Sequence, residues 1–119
     1  MSNNIYWILE LKINEGQLNA FRSLMGEMVE ATQSNEPDAL NYEWWISEDE
    51  TTCHIYERYA DSAALMTHLG NFGANFAERF MSMVVPTGFT VYGNANDTVK
   101  EALAAFGPTY MGALGGFGR

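Results

Sequence analysis

Glu57 and His68 are the two residues of this chain whose types and spacing suit proton transfer. Glu57 lies near the end of the run Thr52-Cys53-His54-Ile55-Tyr56-Glu57-Arg58-Tyr59. That run alternates like a strand and is rich in β-branched and aromatic residues. Asp61-Ser62 then supplies a helix start, and Ala63 to Leu69 continues as helix with His68 in its first turns. A strand feeding directly into a helix brings both side chains to one apolar seam. An imidazole titrates near ~6.5 and can abstract a phenolic or quinol proton. A carboxyl group on an apolar strand face has a raised pKa unless it is paired. It can orient the imidazole or bind a substrate hydroxyl. Plainer roles stand beside these: a structural histidine bonding a strand, and a Glu57 ion pair with Arg22 or Arg79.

The elements that must position this pair read in order. Ile5 to Ile13 is a strand with Ile5, Trp7, Leu9, Leu11 and Ile13 on one face. Asn14 and Gln17 resemble a capping box for a helix whose apolar stripe is Leu18, Phe21, Leu24, Met25, Met28 and Val29. Ser34 to Asp38, with Pro37, turns the chain. Ala39 to Ser47 and Thr52 to Tyr59 form a hairpin. With an even number of loop residues, Leu40, Tyr42, Trp44 and Ile46 share a face with Cys53, Ile55, Glu57 and Tyr59. Glu43 then lies opposite or diagonal to Arg58. An odd loop mixes the two sets and places Arg58 among the apolar rings, so the even register is expected, and the placement of Glu57 depends on it.

Leu65, Leu69, Phe72, Phe76 and Phe80 recur at helical spacing. Gly70 and Gly73 predict a break, with a further helical piece over about Ala74 to Met83. Pro86 stops it, and Gly88 to Tyr92 reads as the last strand, with Phe89 and Val91 facing together. The order strand, helix, strand, strand, helix, strand predicts an α+β, ferredoxin-like β-α-β-β-α-β fold with an antiparallel sheet. The second sheet face still carries Tyr, Trp and Ile, which predicts that another copy of the chain covers it. Thr98 and Glu101 resemble a capping box before a C-terminal helix, Val99 to Phe106, with Leu103 and Phe106 pointing inward. The glycine-rich tail from Thr109 reads as a strap on a partner, a lid over a pocket, or a free end. The domain boundaries that follow are 1–95 for the folded unit and 96–119 for its extension.

At 119 residues, with 47% hydrophobic and 18% charged residues, the chain suits one globular core. Six basic against fifteen acidic residues give a net charge of −9. That balance repels phosphate backbones and anionic membranes, so neither nucleic acid nor membrane is an expected partner. Cys53, the single cysteine, excludes an intramolecular disulfide. It reads as a buried, inert thiol. Met1-Ser2-Asn3-Asn4 lacks the basic region of a signal peptide, which gives a cytoplasmic expectation. His54 and His68 sit on different elements without ligand spacing, so no metal site is expected.

The segment Tyr56-Glu57-Arg58-Tyr59-x-Asp61, followed by Ala64-Leu65 and His68, resembles the antibiotic biosynthesis monooxygenase (ABM) domain family. Tyr42-Glu43-Trp44 and Ser47-Glu48-Asp49 add to the likeness. The resemblance covers about Ile5 to Tyr92. It implies a homodimeric α+β barrel and oxidation of quinol-like or polycyclic phenolic molecules by oxygen without metal, flavin or haem. Haem degradation in that family uses an Asn within the first strand, where this chain has none, and a Trp; here Trp44 and Trp45 lie on the second. The expected site has His68 and Glu57 as catalytic residues. Trp44, Tyr42, Tyr59, Phe72 and Phe76 are the expected walls for a small aromatic molecule. The alternative is a non-enzymatic dimer that binds a small ligand or assembles with another protein.

Overall fold

A computed structural model describes residues 2–119. Nine alternating residues form β1 (Ile5–Ile13), followed by α1 (Leu18–Asn35), β2 (Ala39–Ile46) and β3 (Thr52–Tyr59). The chain continues as α2 (Ser62–Asn75), α3 (Ala77–Met83), β4 (Val84–Tyr92), α4 (Asp97–Leu103), a 3-10 turn (Ala104–Phe106) and β5 (Thr109–Met111). The sheet order is β2-β3-β1-β4-β5. The first four strands pair antiparallel in the ferredoxin-like arrangement, and β5 joins the edge of β4 in parallel. The sheet is therefore mixed rather than wholly antiparallel.

Each core strand turns its alternate residues toward the helices. Ile5, Trp7, Leu11 and Ile13 from β1 are buried there with Cys53, Ile55 and Tyr59 from β3. From α1, Phe21, Leu24 and Met28 close over Leu11, Ile13 and Phe80. At the other end Leu65, Val91, Val99 and Leu103 pack on Ile5, Trp7 and Tyr59. Between these two clusters lies the seam that holds Glu57 and His68.

The hairpin has the even register. Tyr42 pairs with Glu57, Trp44 with Ile55 and Ile46 with Cys53. Leu40 departs from the expected face, because the register shifts between Ala39 and Asn41 and Ala39 takes the place opposite Tyr59. Asn41 stands opposite Arg58 and accepts from its Nε at 2.7 Å, while donating to Glu43 at 2.7 Å. Glu43 thus meets Arg58 through Asn41, along the diagonal.

Other expectations shift for local reasons. The predicted Asn14–Gln17 box is absent: Gln17 caps α1 without a side-chain bond, and Asn14 instead donates to Ser82 O at 3.3 Å. Helix α2 runs through Gly70 and Gly73 and breaks at Phe76, whose φ of −131° leaves the helical region. Strand β4 begins at Val84, earlier than expected, and contains Pro86. A bulge admits it: Glu10 pairs with Gly88 but Leu11 with Pro86, so Thr87 is the extra residue. Pro86 and Phe89, an odd number apart, consequently face the same side. At α4 the cap is Asn96, accepting from Val99 N at 2.9 Å, not Thr98. Leu103 is buried as expected, whereas Phe106 is 52% exposed. The tail beyond Gly107 first returns to its own sheet as β5, and Leu114 and Phe117 beyond it are exposed.

Gly93 and Gly88 make a contrast that tests this packing. A Cβ at either would lie 2.6 Å from an oxygen, but Gly93 has φ +105° and meets the backbone carbonyl of Asn4, while Gly88 meets the flexible end of Glu10. Gly93→Ala is expected to cost more than ~1 kcal/mol, and Gly88→Ala less than that. Urea unfolding of the two variants checks the order, and equal losses would contradict it.

Candidate active site

Glu57 is the centre of the site because of where β3 lies. It sits on an inner strand, with Trp7 of β1 directly opposite on one side and Tyr42 of β2 on the other. The carboxyl is 4% exposed. Tyr59, two residues along the same face, donates its hydroxyl to Glu57 Oε1. His68 closes over this group from α2. Asp61 caps that helix by accepting from Ala64 N at 2.8 Å. Leu65 and His68, three residues apart, then share its inward face and are both buried.

The imidazole is held at both nitrogens. Its Nε2 lies 3.3 Å from Glu57 Oε1, and its Nδ1 lies 3.0 Å from Glu36 Oε1. Asn71, one turn further along α2, donates to Glu36 Oε2 at 3.2 Å. Glu36 is buried at the C-terminal end of α1, where its N–H donates to Thr32 O. Pro37 follows it, and a residue before proline is driven out of the helical region. Helix α1 therefore ends with the Glu36 side chain beside α2. The rings of Tyr42 and Tyr59 flank the imidazole at 5.2 and 5.1 Å between centroids.

Burial and charge set the protonation of this chain of groups. Burial pushes the Glu57 carboxyl up, and the attraction of His68 and the bond from Tyr59 only partly oppose it. Burial by itself would lower His68, but the hydrogen bond to Glu36 and the charges of Glu57 and Glu36 outweigh it and hold the ring above its usual value. Burial likewise works against the Glu36 carboxylate, yet its bonds to His68 and Asn71 leave it below the usual range. Glu57 and His68 are close enough to titrate as one unit. Burial first, then the charge of Glu57, raises the Tyr42 and Tyr59 hydroxyls, so both keep their protons.

Two cavities meet at His68. One, about 60 Å³, is apolar and is lined by Trp7, Tyr42, Ile55, Glu57, His68 and Phe72, with Phe89, Leu103 and Phe106 among its further walls. The other, about 120 Å³, is polar and carries Glu36, Asn35, Asn71 and Asn75. Met28, Tyr42, His68 and Phe72 border both. Of the expected walls, Tyr42 and Phe72 lie here. Phe76 lines the polar cavity alone, and Trp44 faces a separate groove with Phe21 and Arg22. Tyr59 is fully buried behind Glu57. Neither arginine named as a Glu57 partner pairs with it: Arg22 pairs with Glu50 at 3.3 Å and Arg79 with Glu27 at 2.8 Å, and the ionisable partner of Glu57 is His68. Cys53 is buried and its thiol is pushed up to about 11. Among the described residues no group of three or more His, Cys, Asp or Glu could hold a metal ion. None of their helices is long and apolar enough to cross a membrane.

Sequence reasoning missed Glu36, which lies in a turn where no periodicity marks a side chain as inward. Trp7, assigned only to a strand face, stands opposite Glu57 across the sheet and lines the apolar cavity. Phe106 and Leu103 were assigned to an extension, yet they close the apolar cavity.

Residues 4–80 match the sequence model described as antibiotic biosynthesis monooxygenase. The chain belongs to this family. Among solved structures, MupZ from Pseudomonas fluorescens is similar over 100% of this chain and 91% of its own, with a TM-score of 0.88 and 26% identity. SnoaB from Streptomyces nogalater, a cofactor-independent oxygenase, aligns over 80% of this chain and 96% of its own, with a TM-score of 0.66 and 11% identity. Rv0793 from Mycobacterium tuberculosis aligns over 79% and 97%, with a TM-score of 0.67 and 22% identity. The last two show the fold. No curated protein matches the sequence.

The pKa directions fix a pH dependence for this family member. His68, raised in the folded chain, contributes stability that is complete below about 6.5 and lost as pH rises through its native value. Glu57, also raised, adds a loss in the same direction once pH passes its unfolded value. Unfolding free energy is expected to fall between pH 6 and 9, and the fall is expected to shrink in Glu57→Gln. Denaturant titrations across that range check this, and a flat wild-type profile would contradict it.

Proposed function

We propose that the protein is a cofactor-independent monooxygenase that oxidises a quinol-like or polycyclic phenolic substrate with molecular oxygen. One observation carries the reading: Glu57 and His68, a coupled proton-accepting unit, form the polar spot in the wall of an apolar, aromatic-lined cavity. A phenol that surrenders its proton to this unit becomes an electron-rich anion able to reduce oxygen. Oxygen then bonds to the substrate carbon. Conversion of a quinol ring C–H to C–OH, with the ring left as the quinone, places one oxygen atom in the product and the other in water, whose two hydrogens are the abstracted hydroxyl proton and the displaced ring hydrogen. Apolar walls keep bulk water from the anion. Membership of the family and the likeness to SnoaB support the same reaction class.

The cavity volume of about 60 Å³ accommodates dioxygen or a few waters. A ring system enters only as wall side chains swing aside. Met81 and Phe106, 41% and 52% exposed, are the walls free to do so. Oxygen uptake with a panel of dihydroxyaromatic compounds tests the activity. His68→Ala is expected to lower turnover by about 10²–10⁴-fold. Equal turnover in parent and variant would remove His68 from the mechanism.

A second reading, a non-enzymatic dimer that holds a small aromatic ligand, draws on the engagement of both imidazole nitrogens in existing contacts. It predicts ligand-dependent quenching of tryptophan fluorescence with no oxygen consumption.

Both readings use a homodimer. The sheet face opposite the helices carries Tyr6, Ile8, Trp45, Tyr56, Tyr92 and Met111, with Trp45 61% exposed. A row of large rings on a flat sheet favours a covering second copy. Sedimentation at micromolar concentration is expected to give twice the 13.3 kDa chain mass. Ile8→Glu, placed on that face, is expected to shift it toward the monomer. A wild-type monomer would contradict the shared face.

A further inference from the structure

The apolar and polar cavities are separated by one imidazole. Glu57 lines the first, Glu36 lines the second, and His68 borders both. The two carboxylates engage opposite nitrogens of that ring, at 3.3 Å and 3.0 Å. We propose that Glu36 is a positioning residue that fixes His68 with Nδ1 toward the polar cavity and Nε2 toward Glu57, making Glu57–His68–Glu36 a proton path between the substrate cavity and water. This rests on the proton-abstraction chemistry proposed above.

The path balances. A proton taken from the ligand by Glu57 passes to Nε2 as the Nδ1 proton passes to Glu36, which releases it to water in the polar cavity. The same steps in reverse supply a proton to the departing oxygen and restore the ring. Every group facing His68 fits this direction. Tyr42 and Tyr59 hold their hydroxyl protons strongly, and Tyr59 donates to Glu57. Asn71 on α2 fixes the second oxygen of Glu36 and carries no charge of its own. Asn35 and Asn75 beside it make the polar cavity a place where water is held, whereas the cavity on the Glu57 side is almost wholly apolar. The ring thus offers a proton leaving the substrate a polar way toward the second cavity. Glu36 does not itself line the apolar cavity and reaches it through His68. Its effect on turnover therefore passes through His68, as a carboxylate that orients a histidine does elsewhere.

Glu36→Gln keeps the shape and an acceptor for Nδ1–H but takes up no proton. Glu36→Ala opens room for a small carboxylate. With 1,4-dihydroxynaphthalene as the probe substrate, Glu36→Gln is expected to lower kcat about tenfold or more with KM unchanged. The kcat–pH profile is expected to move to lower pH, because the ring loses its charged partner. Formate is expected to restore Glu36→Ala in a saturable way and to leave Glu36→Gln unaffected. A kcat–pH profile of Glu36→Gln that superimposes on the parent, or a Glu36→Ala variant that formate does not restore, overturns the proposal. A readout without substrate separates this proposal from the reading beneath it. In 15N-labelled protein, exchange of the His68 Nδ1 proton with water is expected to be fast in the parent and at least tenfold slower in Glu36→Gln. Unchanged exchange overturns the path whether or not any phenol is oxidised. Slowed exchange in a protein that oxidises none of the panel upholds the path and overturns the oxygenase reading.

Discussion

A carboxyl group buried on an inner strand is the constraint that the rest of this structure answers. Glu57 occupies a position whose neighbours across the sheet are Trp7 and Tyr42 and whose strand neighbours are Ile55 and Tyr59. An isolated charge there would be expensive, and an unpaired carboxyl costs free energy even when neutral. Two polar groups come to it: the Tyr59 hydroxyl along the strand and the His68 ring from above. The second nitrogen of the ring in turn requires a partner, which Glu36 supplies from the end of α1. Helix α1 is thereby tied to the consecutive elements β3 and α2 at one point, with aromatic rings around it.

The fold was legible because each element carried its own local signal. Alternation in Ile5 to Ile13 and Thr52 to Tyr59 marks both strands to the residue, and Asp61 marks the start of α2. The even loop between β2 and β3 followed from keeping Arg58 away from the apolar rings, and it set Glu57 facing inward. Errors arose where tertiary packing overrode a local cue. Gly70 and Gly73 find open space on the helix surface and bend nothing. Pro86 is accommodated by a bulge that no pattern of alternation reveals.

The site was only half legible for a related reason. Glu57 and His68 stand on regular elements, so periodicity assigns each to a face. Glu36 stands in a turn, and only the docking of α1 on α2 brings it to the ring. Trp44 shows the opposite case: it shares the face of Glu57 but lies far enough along β2 to meet Phe21 and Phe80 instead of His68. Face assignment places a residue in a layer, and the position along the strand decides which neighbours it has within that layer.

The bulge at Thr87 and the turn at Ala104–Phe106 together give the cavity a divided authorship. Its acid–base floor comes from β3 and α2, inside residues 4–80, which the family shares. Its far side comes from Pro86, Phe89, Leu103 and Phe106, all beyond that span. Exchanges in the C-terminal quarter of the chain therefore change the walls of the cavity without touching either Glu57 or His68.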